Sequence, residues 1–344
     1  MKIKNKKIDC GSVFVIAEAG VNHNNKLSLA YKMIDEAAKA GADAIKFQTF
    51  IANKIQLPNS TKPNYQKKIR GKKYKNIIEE LEPSFDDQIK MMKYCKKKNI
   101  IFLSTPYDNE SVDFLDKMGI SAFKISSSDT TNHSFLEYVA NKKKPIILST
   151  GMSNSEYVDV AVKLLKRKGI GNNLILLQAT SDYPTPNDDV NIRVIPSFSK
   201  KYKIPVGLSD HTSDDVASLG AVALGASVVE KHFTLNRKLP GPDQTSSLEP
   251  KELSQWISKI RIMEKSLGSD KKFITKSEKN NLTMRKIIVL KPMKKNTKIT
   301  SKMLLTMRGT KNGILPLKSN ISKILGKKIK CNIITAKQFS WDMI

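Results

Sequence analysis

Eight short apolar runs, each ending abruptly in polar residues, constrain the fold of this chain more than any other feature. The runs are rich in Ile, Val and Leu and do not alternate, which is typical of strands buried on both faces of a parallel sheet. Segments with helical spacing lie between them. Eight strand-then-helix units predict an α/β fold, a (β/α)8 TIM barrel, with its active site at the carboxyl ends of the strands. The runs cover residues 13–20, 44–50, 101–106, 122–128, 145–151, 174–181, 206–211 and 228–233.

The length of the chain, 344 residues, suffices for one barrel and a small second domain. We expect the barrel domain over residues 1–268 and a lysine-rich linker over residues 269–284. Residues 285–344 change character, because Pro and Gly separate short strand-like runs and one helical turn. This segment predicts a small β-rich domain.

Composition argues against several classes of protein. The apolar run after the basic start is too short for a signal peptide, and no run approaches a membrane span. Three cysteines stand far apart, which indicates a reduced, cytoplasmic protein without structural disulfides. The net charge of +28 is almost entirely Lys, scattered and interrupted by acidic residues. Since base readers favour Arg, we expect a solvated lysine surface and no specific nucleic-acid partner.

Two of the four histidines end neighbouring predicted strands. His211 ends the seventh strand and His232 the eighth. Adjacent parallel strands lie about 4.8 Å apart, so two imidazoles at their ends can share one cation. Two protein ligands leave open positions for water and substrate, which suits Lewis-acid activation of a carbonyl. Neighbouring Asp210, Glu230 and Lys231 are candidates for orienting the histidines or contacting substrate.

An anion site is predicted from lysines and hydroxyls at the strand ends. Lys46, Lys124 and Lys231 lie at or near the ends of the second, fourth and eighth strands. A lysine pointing into a barrel core is costly, so a lysine at this level is expected to serve a ligand. Together with hydroxyls from four strands, these lysines indicate a phosphate and carboxylate site. The hydroxyls belong to Thr105, Ser127, Ser149 and Ser209.

A carboxylate and two polar loops complete the predicted rim. Glu18 ends the first strand, and the loop after it carries Asn22 and His23, which suits sugar hydroxyls or proton transfer. The Pro-containing loop after the eighth strand carries Asp243, a candidate hydroxyl acceptor. His133 is expected in a loop.

Nine ordered motifs resemble those of the sialic acid synthase family, over essentially the whole chain. The motifs are FVIAEAGVNHN, GADAIKFQTF, FLSTP, FKISSSD, KPIILSTGM, YPTP, VGLSDHT, VEKHFTL and PGPD. The resemblance implies condensation of phosphoenolpyruvate with an N-acetylated amino sugar, giving a nine-carbon 2-keto acid and phosphate. It also implies that the C-terminal segment is an antifreeze-like (SAF) domain with a β-clip fold.

The resemblance assigns roles to individual residues. A divalent ion (Mn²⁺, Mg²⁺ or Co²⁺) is implied on His211 and His232, where it polarises the aldehyde of the open-chain sugar. C3 of phosphoenolpyruvate then attacks, and water adds at C2 before phosphate leaves. The phosphoenolpyruvate site is implied to comprise Lys46, Thr105, Lys124, Ser127, Ser149, Ser181 and Ser209. Glu18, Gln48, Tyr183 and Asp243 are implied to contact the amino sugar or the attacking water.

The family also implies a domain-swapped homodimer in which an arginine of the SAF domain reaches the partner's site. Arg308, in MRGTKNGILP, matches that arginine, although the family commonly has Arg-Pro-Gly where this chain has Arg-Gly-Thr. Two further departures are Gln178-Ala179, where His-Cys is frequent, and Ser181, where some members have Asn. A loop Asn of the family has no clear match in KKIRGKKYKN.

Several readings of function remain open at this point. Within the family the acceptor is N-acetylmannosamine, giving N-acetylneuraminate, or a 2,4-diacetamido-trideoxyhexose, giving legionaminate or pseudaminate. The PGPD loop favours the neuraminate and legionaminate branches. A metal-dependent barrel nuclease would need more ligands than two histidines. A non-catalytic scaffold would have no reason to keep costly charged groups at its rim.

Overall fold

The computed structural model describes residues 1–8, 11–57, 74–279, 283–310 and 312–344. Cys10 and most of the KKIRGKKYKN segment lie outside these residues; Cys95 and Cys331 are free thiols. The chain divides into two compact units, Met1–Gly268 and Ser269–Ile344. None of the helices in the described ranges has the length and apolar character needed to cross a bilayer.

A short N-terminal hairpin precedes the first predicted strand. In it, β1 (Lys2–Ile3) pairs antiparallel with β2 (Lys6–Lys7). Ile3 and Ile8 are buried and join the apolar cluster that contains Phe14 and Ile16 of the first barrel strand. The basic start of the chain therefore contributes two residues to the core, which the sequence analysis did not predict.

Eight parallel strands close into a barrel, which confirms the predicted fold class. Every strand falls within one of the eight apolar runs, and the last pairs with the first in parallel register. The strands are β3 (Phe14–Gly20), β4 (Ala44–Thr49), β5 (Ile101–Pro106), β6 (Phe123–Ile125), β7 (Ile146–Ser149), β8 (Leu174–Ala179), β9 (Val206–Asp210) and β10 (Val228–His232).

Helices follow the strands, and polar N-caps start several of them. Asp108 accepts a hydrogen bond from the Ser111 amide at 2.8 Å, and Asn154 accepts one from the Tyr157 amide at 2.9 Å. His133, predicted in a loop, is the exposed first residue of a helix. The helices are α1 (Leu27–Ala40), α2 (Ala52–Ile55), α3 (Tyr74–Leu81), α4 (Phe85–Lys97), α5 (Asn109–Met118), α6 (His133–Ala140), α7 (Ser155–Arg167), α8 (Val194–Tyr202), α9 (Val216–Ala223) and α10 (Pro250–Leu267).

A buried ion pair joins the last two barrel strands on the side that faces the helices. Asp210 of β9 and Lys231 of β10 are register partners, and their side-chain N–O distance is 3.0 Å. Lys231 also donates to the Thr212 carbonyl at 2.8 Å, while Asp210 accepts from the Thr212 amide and from the Ser218 hydroxyl. Both charges are therefore satisfied within the protein.

The second unit contains a three-stranded antiparallel sheet in the order β12-β11-β13. Its strands are β11 (Arg285–Val289), β12 (Leu304–Arg308) and β13 (Lys337–Gln338), and its helices are α11 (Lys276–Lys279) and α12 (Lys318–Ile324). Ile287, Val289, Ile324 and Phe339 belong to its separate apolar core. A small β-rich module was expected here; its assignment to the SAF type stays a prediction.

Removing one member of the buried pair is expected to destabilise the barrel. Lys231→Met leaves the Asp210 carboxylate buried without its counter-charge, so we expect the free energy of unfolding to fall by about 3–5 kcal/mol. Lys201→Met, which breaks a partly exposed pair with Asp159, is the control and should cost about 1 kcal/mol or less. Equal losses in denaturant titrations of the two variants would contradict this interpretation.

Candidate active site

A cavity of about 640 Å³ opens at the carboxyl ends of the barrel strands. Thirteen of the fourteen predicted site residues line it, because each stands near the carboxyl end of a strand or on the loop that follows. They are Glu18, Lys46, Gln48, Thr105, Lys124, Ser127, Ser149, Ser181, Tyr183, Ser209, His211, His232 and Asp243. The fourteenth, Arg308, ends β12 in the second unit, and its side chain is exposed.

Four buried charges alternate in sign at the centre of the cavity. The Lys46 ammonium lies 2.7 Å from a Glu18 carboxylate oxygen and 3.7 Å from Glu230. Lys124 lies 3.2 Å from the other oxygen of Glu230. Lys46 also donates to the Thr105 hydroxyl at 3.1 Å. All four side chains are at most 5 % exposed, so the charges depend on one another rather than on water.

The two carboxylates differ in protonation. Burial raises the pKa of Glu18 to about 7, and Lys46 opposes this shift only in part. Burial acts on Glu230 too, but Lys124 and Lys46 outweigh it and lower its pKa to about 2. Burial lowers the pKa of Lys124, whereas Glu18 and Glu230 outweigh burial at Lys46 and raise its pKa. Strongly shifted, mutually dependent groups in a cleft are typical of catalytic sites.

Hydroxyl groups surround one side of this charged centre. Ser127 accepts a hydrogen bond from the Gly151 amide at 2.9 Å, which leaves its own proton free to donate. The buried Ser149 hydroxyl has no partner among the described residues. A Cβ at Gly151 would lie 2.4 Å from the Ser181 hydroxyl oxygen and 2.9 Å from that of Ser127. Glycine at this position therefore leaves room for the Ser127 and Ser181 hydroxyls, which line the same cavity as Ser149 and the lysines, as an anion site requires.

The two predicted metal ligands lie side by side. The rings of His211 and His232 are 5.6 Å apart between centroids. The Tyr183 ring lies tilted at 4.2 Å from that of His211 and edge-on at 5.5 Å from that of His232. Nδ1 of His211 is 2.7 Å from the Thr180 carbonyl. Because a carbonyl can only accept, Nδ1 carries the proton and Nε2 keeps its lone pair.

Both imidazoles suit a divalent cation. Burial lowers the pKa of His211 to about 4 and holds that of His232 well below its ordinary value, so both rings are neutral near pH 7. Nδ1 of His232 is buried and has no hydrogen-bond partner within the described ranges. No cluster of three or more His, Cys, Asp or Glu side chains there offers a closed metal site. The pair can thus hold a cation while most coordination positions stay open.

Three polar side chains cluster around Gly20. A Cβ at this residue would lie 3.3 Å from Glu18 Oε1, 3.4 Å from Gln48 Nε2 and 3.9 Å from Asp243 Oδ2. Gly20 has φ of 51°, a left-handed conformation that glycine adopts without cost. The turn therefore brings an amide and two carboxyls together, a combination that can bind several sugar hydroxyls.

Three sequence expectations near the site are wrong. Lys231 points away from the cavity and pairs with Asp210, because side chains alternate along β10 and Glu230 and His232 take the inward positions. Asn22 is buried and donates to the Phe233 carbonyl and the Ser247 hydroxyl, both at 2.9 Å. His23 is buried against Phe47. Asn22 and His23 therefore hold the loop after β3 in place, and neither lines the cavity.

Two features of the cavity were missed. Glu230 was considered as a neighbour of His232 but not as a central member of the charge cluster. Tyr107 directly follows the third barrel strand, a position that could have flagged it, and lines the cavity. Gln178, one of the departures from the family, donates to the Val190 carbonyl at 3.0 Å and is absent from the lining.

Comparisons with known proteins identify the family to which the chain is similar. The model of the NeuB family matches residues 33–272. An N,N'-diacetyllegionaminic acid synthase of Campylobacter jejuni is 41% identical over 91% of this chain and 94% of its own length. One of Legionella pneumophila is 37% identical over 96% of this chain and 94% of its own. A crystal structure of an N-acetylneuraminic acid synthetase from Leptospira borgpetersenii superposes with a TM-score of 0.71, at 35% identity, over 82% of this chain and 94% of that one.

Asp243 predicts a measurable pH effect on stability. Burial raises its pKa from 3.8 to about 6, so the native state keeps a proton that the unfolded chain releases between these values. The group therefore becomes destabilising as the pH rises through that window. We expect the free energy of unfolding of the wild type to fall, relative to Asp243→Asn, by about 2 kcal/mol between pH 4 and pH 7.

Denaturant titrations at several pH values measure this difference. Asp188→Asn, which removes an exposed carboxyl, serves as the control. Curves for the wild type and Asp243→Asn that stay parallel over the whole range would contradict the expected shift.

Proposed function

Given that the chain belongs to the NeuB family, whose members condense phosphoenolpyruvate with sugars to form sialic-type acids, we propose which substrates and residues this enzyme uses. It joins phosphoenolpyruvate to the aldehyde carbon of an open-chain N-acetylated amino sugar, giving a nine-carbon 2-keto acid and inorganic phosphate. The observation that carries the proposal is the meeting of two neutral histidines, two buried lysines and converging hydroxyls in one cavity.

The lysine and hydroxyl side of the cavity binds phosphoenolpyruvate. Its phosphate and carboxylate groups match the charges of Lys46 and Lys124 and the donors that surround them. The free donor capacity of Ser127 and the unpartnered Ser149 hydroxyl support this assignment. Thr105, Ser181 and Ser209 complete the shell of donors.

His211 and His232 hold a divalent cation, such as Mn²⁺, Mg²⁺ or Co²⁺. When bound, it supplies Lewis-acid activation of the sugar aldehyde. The protein's own part is to keep both imidazoles neutral and oriented, through burial and through the Thr180 carbonyl. The Tyr183 ring contacts both imidazoles and helps to fix their positions.

The charge cluster stabilises the changing charges of the reaction. C3 of phosphoenolpyruvate forms the new bond to the aldehyde carbon, which leaves a cation at C2. Glu230, ionised between Lys124 and Lys46, provides a fixed negative charge beside that cation. Water adds at C2, and phosphate then leaves with its bridging oxygen. Glu18, with its pKa of about 7, is placed to exchange a proton with the sugar or the water.

We place the acceptor among 2,4-diacetamido-2,4,6-trideoxyhexoses, as for a legionaminate synthase. Two relatives with 41% and 37% identity carry that activity in their names, which favours this branch over N-acetylmannosamine. Glu18, Gln48, Tyr183 and Asp243 serve as contacts to the sugar. N-acetylmannosamine remains the second candidate, since an N-acetylneuraminic acid synthetase shares the fold at 35% identity.

A direct assay tests the reaction and the acceptor together. Purified protein is mixed with phosphoenolpyruvate and Mn²⁺, then with N-acetylmannosamine or 2,4-diacetamido-2,4,6-trideoxymannose. We expect phosphate release and a nine-carbon product mass with the second sugar, and loss of both on addition of EDTA. Absence of phosphate release with either sugar, and with the pseudaminate precursor, would overturn the proposal.

Loss of one histidine is expected to abolish metal binding. His232→Ala leaves a single imidazole, so we expect the affinity for Mn²⁺, measured by calorimetry without substrates, to fall at least about 10-fold. His133→Ala, which removes an exposed histidine far along the chain, is the control. Unchanged Mn²⁺ affinity in His232→Ala would place the cation elsewhere.

We further propose a homodimer in which Arg308 of each protomer acts in the site of its partner. Arg308→Ala and His232→Ala are then separately inactive, but co-expression forms hybrid dimers with one intact site. With random mixing, about half of the dimers are hybrids, and each hybrid has one intact site of two. We therefore expect about a quarter of the wild-type activity in the mixture. Activity no higher than that of the single variants would contradict the exchange.

A further inference from the structure

One side of the cavity is apolar, whereas most of the remaining lining residues are polar or charged. Five side chains from the loops after β3 and β4 and from the short helices α2 and α3 form it: Val21, Phe50, Ile55, Ile78 and Leu81. We call these residues the apolar wall. Together with Ile77 they belong to a single hydrophobic cluster, so the wall is packed from behind.

A phenol adjoins the wall. Tyr107 packs against the same cluster, and its ring meets that of Phe50 edge-on at 6.3 Å between centroids. Burial raises the pKa of the Tyr107 hydroxyl well above its ordinary value, with Glu18 adding to the shift, so the phenol stays protonated. The Ser126 side chain hydrogen-bonds to this hydroxyl. A phenol can both accept and donate, so it can take a second partner in the cavity.

The two sides of the cavity impose a direction on the sugar. Phosphoenolpyruvate takes the lysine and hydroxyl side, which is built from Lys46 of β4 and from the ends of β5 to β9. The aldehyde carbon must lie next to it and to the histidines. The distal carbons of the open chain, C4 to C6, then extend past Glu18 and Gln48 toward the loops after β3 and β4, where the apolar wall stands.

We propose that the apolar wall and Tyr107 form a subsite for the acylamino group at C4 and the methyl group at C6 of a 2,4-diacetamido-2,4,6-trideoxyhexose. The inference rests on the proposed function and adds the residues that select the acceptor. The Tyr107 hydroxyl donates to the amide carbonyl, while the acetyl methyl and C6 pack on Ile55, Ile78 and Leu81. An acetamido group needs this combination of one donor and an apolar surface.

N-acetylmannosamine fits the same surface poorly. It carries hydroxyl groups at C4 and C6, and the apolar side chains of the wall offer a hydroxyl packed on them no hydrogen bond to offset the water that it loses. Apolar pockets that discriminate between two substrates differing by one small group reach ratios of kcat/KM of about 10- to 200-fold. We expect a preference of that order, measured as kcat/KM, for the diacetamido sugar.

Two substitutions test the subsite without touching the charged centre. Tyr107→Phe removes the donor, and we expect kcat/KM for 2,4-diacetamido-2,4,6-trideoxymannose to fall about 10-fold. The KM for phosphoenolpyruvate and the turnover of N-acetylmannosamine should hardly change. Ile78→Thr places a hydroxyl on the wall and shortens the side chain, so the ratio of kcat/KM values should shift toward N-acetylmannosamine.

Matched substitutions elsewhere on helices provide the controls. Tyr157→Phe changes an exposed tyrosine of α7, and Ile262→Thr changes an exposed isoleucine of α10. Neither should alter the preference. Equal losses for both sugars in Tyr107→Phe and Ile78→Thr, or a wild-type preference for N-acetylmannosamine, would overturn the inference.

Binding measurements separate this inference from the proposed reaction. Calorimetry with Mn²⁺ and each sugar, without phosphoenolpyruvate, reports on the subsite even if no phosphate is released. Selective weakening of the diacetamido sugar by Tyr107→Phe would support the subsite although the reaction had failed. Equal binding of that sugar to wild type and variant would overturn the subsite, whatever the turnover.

Discussion

The ion pairing of Lys46 with Glu18 and Glu230 is the interaction on which the rest of the site depends. The three side chains come from β4, β3 and β10, which are consecutive neighbours in the closed barrel. Lys124 extends the cluster to β6 through Glu230. Burying four charges is costly and seldom adds net stability. We therefore propose that the cluster serves substrate binding, with its lysines turned to phosphoenolpyruvate and Glu18 turned to the sugar.

The pleat of the strands distributes the chemistry between the two faces of the barrel. On β9 and β10, Ser209, His211, Glu230 and His232 point into the cavity. The residues between them point outward, where Asp210 and Lys231 satisfy each other. The ends of these two strands thus present two candidate metal ligands and a carboxylate to the cavity. On the opposite face, the same strands are joined by the Asp210–Lys231 ion pair. A shift of register by one residue would exchange the two sets.

Most of the architecture could be predicted from the sequence, because a strand buried on both faces must be a short apolar run. All eight barrel strands and the rim positions of Lys46, His211 and His232 followed from that rule.

The errors have identifiable causes. Lys231 was assigned to the cavity because an apolar run does not show which of its alternate residues point into the barrel, unless one inward-facing residue is already known. Asn22 and His23 were misread because a polar loop residue can serve the backbone as readily as a ligand. The N-terminal hairpin was missed because Ile3 and Ile8 stand among lysines, so that no apolar run is visible in this segment. The apolar wall was missed because it forms between distant loops, from residues that look like ordinary core.

A crystal structure with Mn²⁺ and phosphoenolpyruvate tests the central claim most directly, that one cavity holds a cation on two histidines beside an anion on two lysines. We expect an anomalous manganese peak within bonding distance of His211 and His232, and the phosphate and carboxylate groups of phosphoenolpyruvate within hydrogen-bond distance of Lys46 and Lys124. A manganese peak away from both histidines, or phosphoenolpyruvate outside the lysine and hydroxyl side of the cavity, would contradict it.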